Sequence, residues 1–392
     1  MQTTLYARTL ITQDGLLSYP VITIDEGRIL RIEAGSPNDS TDTLTAAFFD
    51  IHVHGAVGRD FMAATPAEIA CAGSFLATRG VAYYLPTTVT GPVDHTLTAL
   101  EHIADAIESP APSSACSTGL PTPLSTTLPT IAATPVGIHL EGPFVSPVKR
   151  GVHPPASILG PDIALFDRFQ QAARGHIRLL TIAPELPHAL DLIRHATAQG
   201  VRVSLGHSNA TQAEALAGIA AGATSATHTF NAMRALDHRE PGILGTILDR
   251  DDLYAEAICD GVHVDPAMIR LWLKMKGESR GILVTDGMSA TGMPDGTYML
   301  GDFPVELKNG TCLSNGTLAG SVLTMDRAVA NVQRFTGTSL ATAIHLGSRN
   351  PAEMVGLPDL GRIAPGCPAN FNVYDENNHL KRTILAGQTV QQ

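Results

Sequence analysis

Short apolar runs bounded by glycine, proline or charge recur along the middle of the chain, with amphipathic segments rich in alanine, leucine and glutamate between them. The runs are Phe48–His54, Val81–Val89, Val136–Glu141, Ile177–Ile182, Val201–His207, Ala223–His228, Leu253–Cys259 and Gly281–Asp286. Continuous hydrophobicity over so short a length marks strands buried on both faces, as in parallel sheets. Thr65–Arg79, Val93–Glu108, Leu186–Gln199 and Ala210–Ala221 read as intervening helices, the last opening on the capping residues Ser208 and Asn209. Regular strand–helix alternation predicts an α/β fold, a (β/α)8 TIM-like barrel. An open doubly wound sheet would normally show a glycine-rich phosphate loop after its first strand, and none follows Phe48–His54.

The two ends carry a different pattern. Thr3–Ala7, Val21–Asp25 and Ile29–Glu33 are short alternating runs broken by Asp-Gly and Glu-Gly turns, and Ala369–Tyr374 and Arg382–Leu385 repeat the style in the tail. They predict a small β-sandwich built from both termini, residues 1–47 and 356–392, around a barrel of residues 48–355. Ser109–Pro135 is dense in proline, serine and threonine and has no period. It is expected to be an irregular, functionally neutral loop on the amino-terminal side of the barrel, because surface loops tolerate added length.

Composition narrows the partners. At 44% hydrophobic, a chain of 392 residues can bury a sizeable core, and its net charge of −11 argues against a nucleic-acid or anionic-membrane surface. No run is long enough to span a bilayer, and the start lacks the basic-then-apolar form of a secretory signal. Five scattered cysteines without paired spacing read as reduced thiols. A cytoplasmic protein is expected.

Five of the predicted strands end in groups that bind metals or move protons. His52 and His54, two apart on a strand, leave the same face. Glu141, His207, His228 and Asp286 close four further runs. A carboxylate and two imidazoles from three strand ends form the ligand set that zinc and ferrous iron favour in hydrolases with an open coordination position. Glu141 is poorly explained as packing, since a carboxylate ending an apolar strand costs much free energy unless paired. Asp286, otherwise a turn former, can beside a metal take a proton from water and pass it to a leaving group. His139, on the same face as Glu141 but deeper, reads as structural or as support for the ligands.

The chain resembles the N-acetylglucosamine-6-phosphate deacetylases of the amidohydrolase superfamily over nearly its whole length. The signatures are His139–Phe144 (HLEGPF), Lys149–His153 (KRGVH), Gly206–Ala210 (GHSNA), Ala226–His228 with Asn231–Met233, Arg239–Gly242 (REPG), Asp260–His263 (DGVH), Val284–Asp286 (VTD) and Gly316–Ser321 (GTLAGS). The resemblance implies that Glu141, His207 and His228 bind the principal metal, Zn2+ or Fe2+, with Asp286 as catalytic acid/base. It implies that Val152, His153, Asn231, Ala232, Arg239, His263, Leu318, Ala319 and Gly320 surround the sugar phosphate. The arginine matching Arg239 reaches the phosphate in the neighbouring subunit, which implies a homodimer. Some members lack the first His-x-His pair and use one metal; here His52 and His54 are available to a second, bridged by Glu141.

The activity this implies is hydrolysis of the acetamide of N-acetyl-D-glucosamine 6-phosphate to D-glucosamine 6-phosphate and acetate. Metal-bound water is the nucleophile, and Asp286 the general base and then acid. The galactosamine epimer is the near alternative. Another amide-cleaving enzyme of the superfamily fits less well, because its substrates carry no phosphate for Arg239. A scaffold that had lost catalysis should also have lost ligands, and this chain keeps them.

Overall fold

The computed structural model describes residues 2–109 and 130–390. Eight parallel strands form the barrel: β1 (Phe48–Val53), β2 (Val81–Thr88), β3 (Ile138–Glu141), β4 (Ile177–Ile182), β5 (Arg202–Leu205), β6 (Ser225–Ala226), β7 (Tyr254–Ile258) and β8 (Gly281–Val284). They pair in chain order. The Asp286 amide donates to the His52 carbonyl at 2.9 Å, and Val53 bridges Gly287 in parallel, bringing β8 back to β1. β1, β2, β3 and β8 are buried at every position. One large apolar core fills the space between strands and helices.

The expected barrel and two-terminus sandwich are both present. Thr43–Ala46 pairs antiparallel with Phe371–Tyr374 at the centre of a six-stranded sheet, and Thr3–Tyr6, Pro20–Asp25 and Arg28–Ala34 make a three-stranded one. Leu10, Ile22, Ile29 and Leu44 pack with Phe371, Val373 and Ile384 in a core of their own.

Several local expectations are corrected. β5, β6 and β8 stop two residues short of His207, His228 and Asp286, because each of those residues turns into the left-handed region. Ser208 and Asn209 do not cap the helix that follows. The cap is Thr211, in a capping box with Glu214 on Gln212–Ala221, while Ser208 Oγ and the Asn209 amide donate to the Glu185 carboxylate at 2.7 and 2.6 Å. Most of Ser109–Pro135 lies outside the described residues, but Thr134 and Pro135 form a short strand beside Tyr83 and Tyr84, near the amino end of β2. Cys259, Cys312 and Cys367 are free, whereas Cys71 is disulfide-bonded. Spacing along a sequence does not reveal which cysteines a fold brings together.

One element escaped the sequence reading. Gly296–Leu300, Phe303–Lys308, Thr311–Ser314 and Thr317–Leu318 form an antiparallel meander with its own small core, including Val89, Met288 and Ala319. Its turns Asn309-Gly310 and Asn315-Gly316 have positive φ at both positions, as tight hairpins require. Those two dipeptides were the available signal.

Candidate active site

The carboxyl ends of the barrel strands converge on Glu141, the last residue of β3. Its Oε1 lies 3.2 Å from His207 Nε2 and 3.0 Å from His228 Nε2, and its Oε2 lies 3.3 Å from His54 Nε2. His52 Nε2 is 3.5 Å from Oε1. The carboxylate therefore stands between two donor groups, one with His52 and His54 and one with His207 and His228, and each set's donor atoms lie within 4.8 Å of one another. Asp286 sits beside the first set, with Oδ1 3.1 Å from His54 Nε2 and 3.5 Å from His52 Nε2. All six residues are buried.

The local backbone is built for this convergence. His207, His228 and Asp286 adopt φ of 46°, 26° and 50°, which turns each side chain off its strand and over the barrel mouth. Gly142, directly after Glu141, has φ 86°, and a Cβ there would collide with Thr90 Oγ1. Behind the rings, the Nδ1 of His54 faces the Thr87 carbonyl at 3.2 Å and that of His207 the Lys149 carbonyl at 3.1 Å. Donation to those carbonyls fixes one proton on Nδ1 and turns Nε2 toward Glu141.

The electrostatics follow from burial set against close opposite charge. Burial works to raise the Glu141 carboxyl, but His52 and the other imidazoles outweigh it and hold the group well below the carboxylate range. Asp286 is likewise raised by burial and lowered further by His52 and His54. Burial lowers His54, yet Asp286 and Glu141 bring it up to about 9. His153 is pushed well below its ordinary value by burial and then by His207. His263 is lowered by burial and raised more by Asp260, whose Oδ2 lies 2.7 Å from Nδ1.

A divalent cation fits these donors. His52 Nε2 is buried, makes no hydrogen bond and points at two carboxylates. His207 Nε2 and His228 Nε2 face each other at 3.0 Å, a placement that calls for a proton or a cation between them. Imidazole nitrogens with a carboxylate suit zinc or ferrous iron.

The site opens into a cavity of about 680 Å³, mouth included, lined by His54, Glu141, Val152, His153, His207, His228, Asn231, Ala232, His263, Asp286, Leu318 and Gly320. Ala319 is fully buried in the meander core instead, and Arg239 is exposed on the loop after Ala232, outside the cavity wall. Among the described residues no carboxylate pairs with the Arg239 guanidinium, although its amide is held by Asp237. Leu300 and Thr317 of the meander also line the cavity. Sequence reasoning passed over them, and over Thr90, whose Oγ1 lies 2.6 Å from His153 Nδ1. It also passed over Glu256, although a glutamate inside the apolar run Leu253–Cys259 gave the same kind of signal as Glu141.

A cluster of histidines and acids able to hold a cation at the carboxyl rim of a (β/α)8 barrel is the arrangement of metal-dependent hydrolases. The model of the amidohydrolase family matches residues 43–390. The chain is 37% identical over 389 residues to the N-acetylgalactosamine-6-phosphate deacetylase of Escherichia coli O157:H7, covering 98% of each. It is 33% identical over 392 residues to the N-acetylglucosamine-6-phosphate deacetylase of Bacillus subtilis, covering 96% of this chain and 94% of the relative. Its fold superposes on a mutant N-acetyl-D-glucosamine-6-phosphate deacetylase from Mycobacterium smegmatis in complex with N-acetyl-D-glucosamine-6-phosphate, with a TM-score of 0.90, 32% identity and 100% of both chains covered. The Thermotoga maritima N-acetylglucosamine-6-phosphate deacetylase gives 0.87, also at 32% identity and 100% of both chains. The chain belongs to the amidohydrolase family, among its amino-sugar-phosphate deacetylases.

Proposed function

We propose that the chain hydrolyses the acetamide of N-acetyl-D-glucosamine 6-phosphate, giving D-glucosamine 6-phosphate and acetate. The observation that carries this reading is Glu141 held between two sets of imidazoles with Asp286 beside them, at the floor of a cavity wide enough for a sugar. Glu141, His207 and His228 would hold the principal cation, zinc or ferrous iron, and His52 and His54 with Glu141 a second. When bound, such a cation brings the pKa of water down to about 7 and polarises a carbonyl oxygen. Asp286 takes a proton from the attacking water at its carboxylate and later gives it to the departing amine nitrogen. His153, kept neutral by its burial, or His263 donates a hydrogen bond to the oxygen that gains charge.

Val152, Asn231, Ala232, Leu318 and Gly320 line the sugar-phosphate pocket, with Ala319 packed behind them in the meander core. Arg239 completes it from a second subunit, which accounts for an exposed arginine outside its own subunit's cavity wall with no carboxylate partner among the described residues. The enzyme is a cytoplasmic homodimer. The Escherichia coli relative favours a second reading, the galactosamine epimer, so the deciding assay is acetate release from both epimers. A kcat/KM for the glucosamine epimer at least tenfold higher supports the first reading, the reverse order supports the second, and no release from either removes both.

A further inference from the structure

Glu256 is fully buried near the middle of β7, between the buried alanines Ala255 and Ala257. An interior carboxylate is costly unless its charge is met. Among the described residues its only ion-pair partner is His52, whose Nδ1 lies 3.1 Å from Glu256 Oε2. The same oxygen accepts from the His228 amide at 3.1 Å, and Oε1 has no hydrogen-bond partner. One oxygen atom thus touches a member of each donor set from behind, while Glu141 touches both from the front.

The two contacts have different consequences. Donation from His52 Nδ1 to a carboxylate fixes the proton on that nitrogen, leaving the Nε2 lone pair to face Glu141 and Asp286. Without an acceptor behind it, the ring is free to carry its proton on Nε2, which cannot then bind a cation. The contact to the His228 amide steadies a residue whose φ of 26° is unusual for a side-chain-bearing residue, but His228 is also held by its own chain. His52 depends on Glu256 far more, since among the described residues no other group is bonded to its Nδ1.

We propose that Glu256 is the positioning residue that makes the His52–His54 pair a cation site, and so sets how tightly this chain holds its second divalent ion. This rests on the reading of the centre as a metal site. Zinc-loaded enzyme competed against a chromophoric chelator tests it, comparing wild type with His52→Ala, Glu256→Leu, Glu256→Asp and Glu256→Gln. Wild type should release two equivalents in two phases, and His52→Ala should lack the weaker. Glu256→Leu, and Glu256→Asp whose carboxylate is drawn back by about 1.5 Å, should weaken that phase by about 10–100-fold, the usual effect of losing such a partner. Glu256→Gln keeps an acceptor oxygen in place and should stay within a few-fold of wild type.

Release from Glu256→Leu and Glu256→Asp indistinguishable from wild type would overturn the proposal while leaving the metal centre intact. So would a single equivalent in wild type, or equal weakening of both phases in Glu256→Leu and Glu256→Asp, which would mark Glu256 as a support of the whole centre rather than of His52. Wild type that takes up no divalent cation would instead remove the underlying reading. If Glu256→Leu fails to fold, Glu256→Asp carries the same comparison.

Discussion

His207, His228 and Asp286 each occupy backbone space that side-chain-bearing residues avoid, at a cost of about 1–3 kcal/mol apiece. The surrounding strands impose that cost where it aims a ligand or an acid at one point. Asp286→Asn keeps the shape and removes the proton carrier, so turnover should fall by about 10²–10⁴-fold with substrate binding nearly unchanged. Near-normal turnover in a folded, metal-loaded variant would take Asp286 out of the chemistry. His263 gives a prediction in pH. Its pKa stands above 6.5 because Asp260 outweighs burial, so the pair's contribution to stability is whole below about 6.5 and fades as pH rises through the folded value. Asp260→Asn removes the partner that raises His263, so the pH at which KM for the phosphorylated sugar begins to climb should move down relative to wild type. An unchanged pH profile of KM would place His263's charge outside the binding step.

At the level of elements, what the sequence displayed best was the barrel interior. Ile177–Ile182 matches its strand end to end, since all its residues but the half-buried Arg178 obey one rule, burial on both faces. Strand ends were less legible, because at His207, His228 and Asp286 tertiary contacts override the extended backbone that the apolar run suggests. The cap of Gln212–Ala221 was misplaced for a related reason. Ser208 and Asn209 have the chemistry of caps but spend it on Glu185, a partner invisible along the chain. The ligand candidates could be picked out as strand-terminal polar residues. Glu256 gave the same buried-carboxylate signal inside its apolar run, but what it supports depends on which ring faces it across the barrel, and position along the chain does not display that. Thr211→Ala removes the real cap and should cost about 1 kcal/mol, read as a lower melting temperature with unchanged acetate release. A loss of activity would show that the helix start also steadies the loop bearing His207.

For the whole molecule, the exposed Arg239 makes the subunit arrangement testable without a structure of the pair. Arg239→Ala should raise KM for the phosphorylated sugar far more than for unphosphorylated N-acetylglucosamine, because only phosphate can use a charge-assisted fork. Heterodimers of Arg239→Ala with Asp286→Asn chains contain one site with an intact Asp286 and a partner's intact Arg239. Activity at low substrate that neither parent shows would place the arginine across the interface, and none in confirmed heterodimers would place it in its own subunit. The sandwich has a separate consequence, for how the protein is made. Thr43–Ala46 pairs with the early strand Thr9–Thr12 on one side but with Phe371–Tyr374 on the other, so one edge of the amino-terminal strands leaves the ribosome long before its partner exists. Pairings so distant in sequence form slowly, and an unpaired apolar edge is prone to aggregate while it waits. A nascent chain halted just short of Phe371 should therefore hold a largely folded barrel beside an orphaned amino-terminal segment, the piece of this protein that a chaperone would have to shelter.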